Sequence, residues 1–309
     1  MDIGTNSVKL LVMRGIGSGA ETLADRVEIV RLGEGAAASG VLSDEAMERA
    51  AGAIADMAEE ARSLGGASIE IAAVATEAVR KSRNSAEFVG LIAKSCGIDV
   101  KIISGDEEAD LSFRAVSSAI LEAVASSEIC VFDVGGGSSE IVTGSLAGRS
   151  FRRSVPVGAL ALHNEYFADA GDLVPGRLLG AAREKVRREL GDGELASALA
   201  GVSVFIGVGG TITTLASVYL ANLACPARAG GVPGTILAAS EADRQIELYV
   251  SMGVMERAGI AGLDPKRADI ILAGACIVRE LMAFTGADSM TVLDRGIRYG
   301  LMEKLFGLK

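Results

Sequence analysis

Histidine is all but missing from this 309-residue sequence, in which His163 is the only one. HExxH zinc sites and two-His metal triads are thereby excluded. His163 itself, within LALHNEYF, reads as a packed or surface residue rather than a catalyst, which also removes a Ser-His-Asp triad. Cysteine is scarce too: Cys96, Cys130, Cys225 and Cys276 stand far apart with no CxxC pair. That spacing argues against a disulfide framework or structural zinc and points to a reducing, cytoplasmic compartment. Basic residues are outnumbered, 30 Lys+Arg against 40 Asp+Glu, for a formal charge of -10. Such a field repels nucleic acid and anionic membrane on average, so neither is expected as a partner, although local basic patches remain open. No basic segment followed by an apolar run opens the chain, so no secretory signal is read from MDIGTNSVKLLVMRG. One uncharged stretch, 195–227, is long enough to cross a bilayer. Its interior FIGVGGTITTLASV is interrupted by Gly207, Gly209, Gly210 and three threonines, and a strand, a glycine turn and a helix account for it better. A soluble protein is expected, one that catalyses with carboxylates, backbone amides and a metal.

What is present is apolar and regular. Half the residues are hydrophobic and 23% are charged, enough for the cores of about two domains at roughly 150 residues each. Strand-like and helix-like segments alternate, which predicts an α/β architecture. Strands are expected at 7–13, 69–75, 98–104, 129–134, 139–146, 202–208 and 289–293. Helices are expected from a Ser43 cap to Gly65-Gly66, from a Ser85 cap to Gly97, from Asp106 to about Val124, over 177–200, near 240–252, over 265–284 and at the C-terminus. No linker is rich in Pro, Gly or Ser, so two closely packed domains are expected, with the boundary near 116–127.

An internal repeat carries more weight than any one element. Asp2-Ile3-Gly4-Thr5-Asn6-Ser7 and Asp133-Val134-Gly135-Gly136-Gly137-Ser138 share an Asp-x-Gly start followed by small hydroxyl, amide or glycine residues. The second copy follows a buried strand and precedes another, as in a β-hairpin. Turns of this composition can aim several backbone N–H groups at one point, a nest suited to phosphate. A third turn, Gly207-Val208-Gly209-Gly210-Thr211, lies between a strand and a helix N-terminus, the usual place for phosphate contact. It is not a P-loop, because GxxxxGK[ST] occurs nowhere. Asp133 and Glu140 are hard-oxygen groups that could share Mg²⁺ or Ca²⁺ with phosphate oxygens. Alternatively, Glu140 only caps its loop. Asp106, Glu107 and Glu108 open a helix; the first two are ordinary complements to its dipole, while Glu108 is a general-base candidate if the helix starts at a cleft. Arg80, Lys81 and Arg83 either offset an anionic substrate or form a solvated helix entrance.

Together DIGTNS, ATEAVRKSRN, SGDEEA, FDVGGGSSE, SVPVGAL, GVGGT and GLDPKRADIILAGA resemble the exopolyphosphatase / guanosine pentaphosphatase (Ppx/GppA) phosphatases, from Asp2 to about Gly300. That resemblance implies two actin-like, ribonuclease H-like α/β domains of the actin-like ATPase, sugar kinase and Hsp70 (ASKHA) superfamily, with an active-site cleft between them. They would cover 1–118, joined by a C-terminal helix over 295–309, and 119–294. Chain-end phosphate would lie between Gly4–Ser7 and Gly135–Ser138, contacted also by Arg80 and by Gly209, Gly210 and Thr211. Glu108 aligns with the family's catalytic glutamate, which activates a water, and Mg²⁺ would be held by Asp133, Glu140 and Asp2. The implied activity is hydrolysis of terminal phosphate from inorganic polyphosphate, or from guanosine pentaphosphate (pppGpp). A kinase of the same superfamily and a non-catalytic polyphosphate or (p)ppGpp sensor are lower-ranked readings, and a homodimer is compatible with the family.

Three departures stand out. Only Met1 precedes Asp2, where the family has several residues of strand, so either the sequence starts late or the first central strand is clipped, which bears on the stability of the first domain. Val232-Pro233-Gly234 replaces a usual Val-His-Gly, and Leu293 replaces a small polar residue before Asp294-Arg295-Gly296. Longer members add helical domains beyond this point, which implies less extended binding of very long polyphosphate here.

Overall fold

A computed structural model describes residues 1–309 apart from 16–19, 121–126, 146–147, 172, 192, 224–231 and 307–309. The chain divides into two compact units, Met1–Ser118 with Ile297–Lys309, and Ala119–Gly296. The expected boundary region and the far end of the helix read to Val124 fall partly on 121–126, and Cys225 on 224–231, all outside the described residues.

In the first unit β1 (Asp2–Ile3), β2 (Ser7–Arg14) and β3 (Glu21–Ile29) lead through α1 (Ala36–Ser39) and α2 (Asp44–Gly65) to β4 (Ala73–Ala75). Then follow α3 (Glu77–Lys81), α4 (Ser85–Cys96), β5 (Val100–Ile102) and α5 (Gly105–Ile120), and the helix Ile297–Phe306 joins from the far end of the chain. The sheet order is β3-β2-β1-β4-β5, with β1–β2 and β2–β3 antiparallel and β1–β4 and β4–β5 parallel. α2 forms as its sequence predicts. The Ser43 side chain accepts from the Ala46 amide, Gly66 ends the helix at φ 69°, and Met47, Ala50, Ile54, Met57 and Ala61 are buried in one stripe. Leu64, expected on that stripe, is exposed instead. At α4 the cap position is Asn84, not Ser85, and Asn84 spends its side chain on both the amide and the carbonyl of Leu42.

The strand expected over 69–75 is in the ladder only at 73–75, because β1 offers Asp2 and Ile3 as partners opposite Val74 and Ala75. Beyond them an open cavity of about 600 Å³ separates Leu10–Gly15 from Ser68–Ala72. The strand β3 has no sequence counterpart above. It is an edge strand carrying Glu21, Asp25, Arg26 and Glu28, so it lacks the apolar alternation that announces a half-buried strand.

In the second unit β6 (Ile129–Val134), β7 (Ser139–Ser145) and β8 (Gly148–Val155) form a meander. They are followed by α6 (Ala159–Tyr166), α7 (Gly176–Leu190), α8 (Gly193–Ala198), β9 (Val204–Val208), α9 (Gly210–Asn222), β10 (Thr235–Ala238), α10 (Ala239–Val250), α11 (Val254–Arg257), α12 (Ile271–Thr285) and β11 (Ser289–Val292). The sheet order is β10-β11-β9-β6-β7-β8, with β6, β9 and β11 parallel. Read from the meander inward, both sheets share one plan: three antiparallel strands, then two strands parallel to the first. This is the ribonuclease H-like, actin-like arrangement the family resemblance implied, with β10 as an extra antiparallel edge in the second unit.

Two expectations change here. The helix read over 177–200 is two helices, α7 and α8, and the segment read as one helix over 265–284 is a 3₁₀ turn at Pro265–Arg267 followed by α12. Within 195–227 the described residues make α8, β9, a glycine turn and α9, and among the described residues no helix is long and apolar enough to cross a membrane. α12 is buried almost throughout and is the spine of this unit's core, where Leu272, Ala275, Cys276 and Val278 pack with Ile212, Leu215 and Phe132.

Candidate functional site

Parallel strands end on the same edge of a sheet, and in open α/β sheets that carboxyl edge is where ligands bind. In the first unit β1, β4 and β5 run directly into the Gly4–Ser7 loop, α3 and α5. In the second, β6, β9 and β11 run into Gly135–Ser138, Gly209–Thr211 and Asp294–Gly296. Within each unit, then, the residues singled out from sequence lie on one edge.

In the first unit the Gly4 amide donates to the Ser7 carbonyl at 2.9 Å, closing a tight turn. The loop's own carbonyls are tied back. Thr5 O accepts from the Gly33 amide, and Asn6 O accepts from the amides of Val30 and Arg31. Arg31 takes φ 51° to reach it, a left-handed conformation unusual for a residue with a side chain. Gly33 backs the loop so closely that a Cβ there would fall 2.4 Å from Thr5 Cγ2. With its carbonyls engaged, the loop has N–H groups left to present, which is the polarity an anion needs. The Asn6 side chain is buried, and neither Oδ1 nor Nδ2 has a partner among the described residues. Leaving a buried amide unpaired costs about 1–3 kcal/mol, so this loop is set for a ligand. Asp2 is also buried, and its Oδ2 is held 3.1 Å from the Lys9 ammonium.

α5 separates its three acids. Ser104 and Glu107 form a reciprocal capping box, with the Glu107 amide donating to Ser104 Oγ and the Ser104 amide donating to Glu107 Oε2. Glu107 also pairs with Lys101, and that bond, followed by the Ser104 amide, holds its carboxyl below the usual range. Glu108 turns inward, is 6% exposed, and lies 3.2 Å from Arg80 Nη1, which also donates to the Ile103 carbonyl at 2.7 Å. Arg80 and Glu108 thus come together as one ion pair, and Arg80 fixes where the carboxylate points.

The second unit repeats the first loop closely. The Gly135 amide donates to the Ser138 carbonyl at 3.0 Å, and the carbonyls of Gly135 and Gly136 accept from the amides of Ala159, Leu160 and Ala161 at the start of α6. Gly158 is the backstop, since a Cβ there would lie 2.4 Å from the backbone of Gly136 and Gly137. The ladder pairs Asp133 directly with Glu140. Opposed residues of an antiparallel pair share a face, with Cβ atoms about 4.5–5.5 Å apart, so both acids project from the same side. Glu140 Oε1 accepts from the Ser138 and Ser154 hydroxyls at 2.8 and 2.7 Å.

The third turn closes onto these acids. Gly209 takes φ 90°, and a Cβ on it would fall 2.5 Å from Asp133 Oδ1. Only glycine allows that conformation and that approach together. Thr211 is buried against Gly274, whose Cβ would lie 2.4 Å from Thr211 Cγ2. Leu293, one of the departures, is buried, and its amide donates to the Gly207 carbonyl.

Several expected or overlooked residues have other duties. Arg183 and Arg187 on α7 are bound to the buried Glu280, and Lys185 pairs with Glu189, so this basic helix face is structural. His163 is half-buried on α6. Lys9, Ser154 and Arg267 were not singled out. Lys9 could have been found by aligning the two repeats, since it stands seven residues after Asp2 as Glu140 stands after Asp133. Arg267 lies inside one of the motifs quoted above, yet nothing in that motif reveals its contact with Gly210.

Comparison with known proteins follows from this geometry. The Ppx/GppA phosphatase family matches residues 11–307. The chain is 32% identical over 324 aligned positions to a protein named Exopolyphosphatase 2 of Mycobacterium tuberculosis, covering 99% of this chain and 98% of that one. Among solved structures it is similar to an exopolyphosphatase from Cytophaga hutchinsonii, with TM-score 0.87, 26% identity and coverage of 100% of this chain and 97% of the other. It is also similar to the Aquifex aeolicus PPX-GPPA enzyme, with TM-score 0.76, 26% identity and coverage of 98% and 97%.

Proposed function

The chain belongs to the Ppx/GppA phosphatase family, and from that footing we propose that this hydrolase is an exopolyphosphatase that removes terminal phosphate from inorganic polyphosphate. The observation that carries the reading is the second hairpin, an amide-presenting loop with two acids on one adjoining face. Two carboxylates so placed offer hard oxygens on one face, and hard oxygens suit Mg²⁺. Asp133 and Glu140 are the proposed holders. Among the described residues no group of three or more His, Cys, Asp or Glu side chains could hold a metal, so water and substrate oxygens would complete the shell, as is common for Mg²⁺. Asp2, already paired with Lys9, is the weakest of the three expected donors. When bound, the ion would neutralise charge on the phosphates and on the leaving oxygen.

The rest of the chemistry falls to the chain itself. The Gly4–Ser7 and Gly135–Ser138 loops, with Gly209, Gly210 and Thr211, bind phosphate oxygens through backbone N–H groups. Glu108, oriented by Arg80, accepts a proton from water as the water oxygen bonds to the terminal phosphorus. The bridging P–O bond breaks, releasing phosphate and a chain one unit shorter. Positioning and electrostatics supply most of the rate in such transfers.

Phosphate release from polyphosphate and from pppGpp, measured side by side with Mg²⁺, tests the reading. Higher kcat/KM on polyphosphate supports it, whereas a preference for pppGpp makes the protein a pentaphosphate 5′-phosphohydrolase. Binding without turnover would mark a sensor, and phosphorylation of an added alcohol by ATP a kinase. Glu108→Gln should lower turnover by about 10²-fold or more while binding persists, and unchanged turnover in that variant rejects Glu108 as the base.

A further inference from the structure

Arg267 is the most unusual charged residue in the second unit. It is only 9% exposed, yet its guanidinium has no hydrogen-bond or ion-pair partner among the described residues. Buried arginines normally lie in a web of acceptors, because the guanidinium carries five N–H donors and no acceptor. Burial here pulls its pKa down, and only the more distant charge of Asp264 opposes that. The guanidinium lies against the start of α9: a Cβ on Gly210 would fall 2.5 and 2.7 Å from its two terminal nitrogens. α9 runs for 13 residues, and its first turn carries no acidic side chain. The helix N-terminus and an unspent planar fork of donors therefore converge on one spot, a combination that matches a tetrahedral oxyanion.

We propose that Arg267 and the N-terminus of α9 hold a phosphate group of the substrate other than the one cleaved. This deepens the phosphohydrolase reading and rests on it for the word substrate, but the anion site itself stands on Arg267 and α9 alone. Its place follows from the glycine pair, because Gly209 abuts the Asp133 carboxylate and the next residue, Gly210, abuts Arg267. The phosphate at Arg267 is thus a neighbour of the phosphate at Asp133. Glycine at 210 leaves the guanidinium its place, which a methyl there would occupy.

Arg267→Met separates a ligand role from a structural one. A structural arginine lowers the thermal midpoint when replaced. An arginine kept for an absent anion does not, so the variant should melt at or above the wild-type midpoint without ligand. It should also lose the rise in midpoint produced by inorganic tripolyphosphate or by GTP, the two probes separating a bare phosphate chain from a nucleotide. Loss of the rise with either probe supports the site and identifies which source it serves. In turnover, a non-reacting phosphate is held alike in ground and transition states, so KM should rise roughly 10- to 100-fold with kcat little changed. Arg267→Lys should restore part of that loss, and Gly210→Ala, which displaces the guanidinium without removing it, should reproduce it. A lowered ligand-free midpoint with both probe-induced rises and KM intact overturns the proposal. If the wild type hydrolyses neither polyphosphate nor pppGpp, the enzymatic reading fails, while the midpoint shifts still decide the anion site.

Discussion

In the first unit the residue facing Asp2 across its hairpin is Lys9, whereas in the second unit the residue facing Asp133 is Glu140. Everything around these pairs is alike. Each loop closes through a glycine amide donating to a serine carbonyl three residues on, at 2.9 and 3.0 Å, and each has its carbonyls tied back by amides beyond the third strand. One scaffold thus carries two electrostatic designs. The first hairpin contains its own cation beside Asp2 Oδ2, while Asp2 Oδ1 and the Asn6 side chain stay buried without a partner among the described residues. The second places two acids opposite each other, the pair proposed to hold a cation. A duplicated fold can therefore differ by one charge reversal at one register position without altering the closure of its loop.

The comparison is broken most strongly at Glu140. Glu140→Gln keeps an acceptor for Ser138 and Ser154 but removes one of the two charges. Turnover should drop roughly 10²-fold or more, with a higher Mg²⁺ concentration needed for half-maximal rate. A Mg²⁺ titration identical to wild type would remove Glu140 from the metal site. Next in size is Lys9→Met, which leaves the buried Asp2 carboxylate without its cation. Denaturant unfolding should register a loss of about 3 kcal/mol, with the Mg²⁺ requirement of turnover unchanged. A loss that Mg²⁺ repairs would show that the first hairpin can also be made metal-dependent.

The smallest effect belongs to an acid with built-in partners on both sides. Burial alone would raise the Glu280 pKa, but hydrogen bonds from Arg187 and Arg183 outweigh it and hold the carboxyl below its ordinary range. A depressed folded pKa gives stability that is present above the unfolded value, near 4.3, and lost as pH falls through the folded one. Glu280→Gln should cost about 2 kcal/mol at neutral pH, and the gap in urea midpoint between variant and wild type should close as the pH is lowered through that window. A gap independent of pH would assign the loss to packing.

Features set by near neighbours were the most legible in the sequence. The Ser43 cap, the Gly66 stop, the strand–turn–helix at 204–222 and the distinction between Glu107 and Glu108 all follow from residues within a few positions of one another. Features set by register or by distant chain were not. The strand at 69–75 is cut short by a partner far away in sequence, β3 is hidden by its edge charges, and Asn84 rather than Ser85 starts α4 because Leu42 claims its side chain. Lys9 and Asp2 meet only once the hairpin register is known, and Arg267 meets Gly210 at a separation of 57 residues, through fold rather than pattern. The repeat and the charge difference between Lys9 and Glu140 are both present in the sequence; that these residues face Asp2 and Asp133 is shown by the ladder.

Gly33, Gly158 and Gly274 possess no functional group, yet each supports a proposed ligand loop at a separation that leaves no room for one methyl. The residues that perform the chemistry are therefore not the only ones on which inheritance of the activity depends. Among natural variants of this chain, alanine at any of these three backstops should be as rare as loss of a carboxylate, and a catalogue of essential positions drawn from reactive side chains alone would omit them.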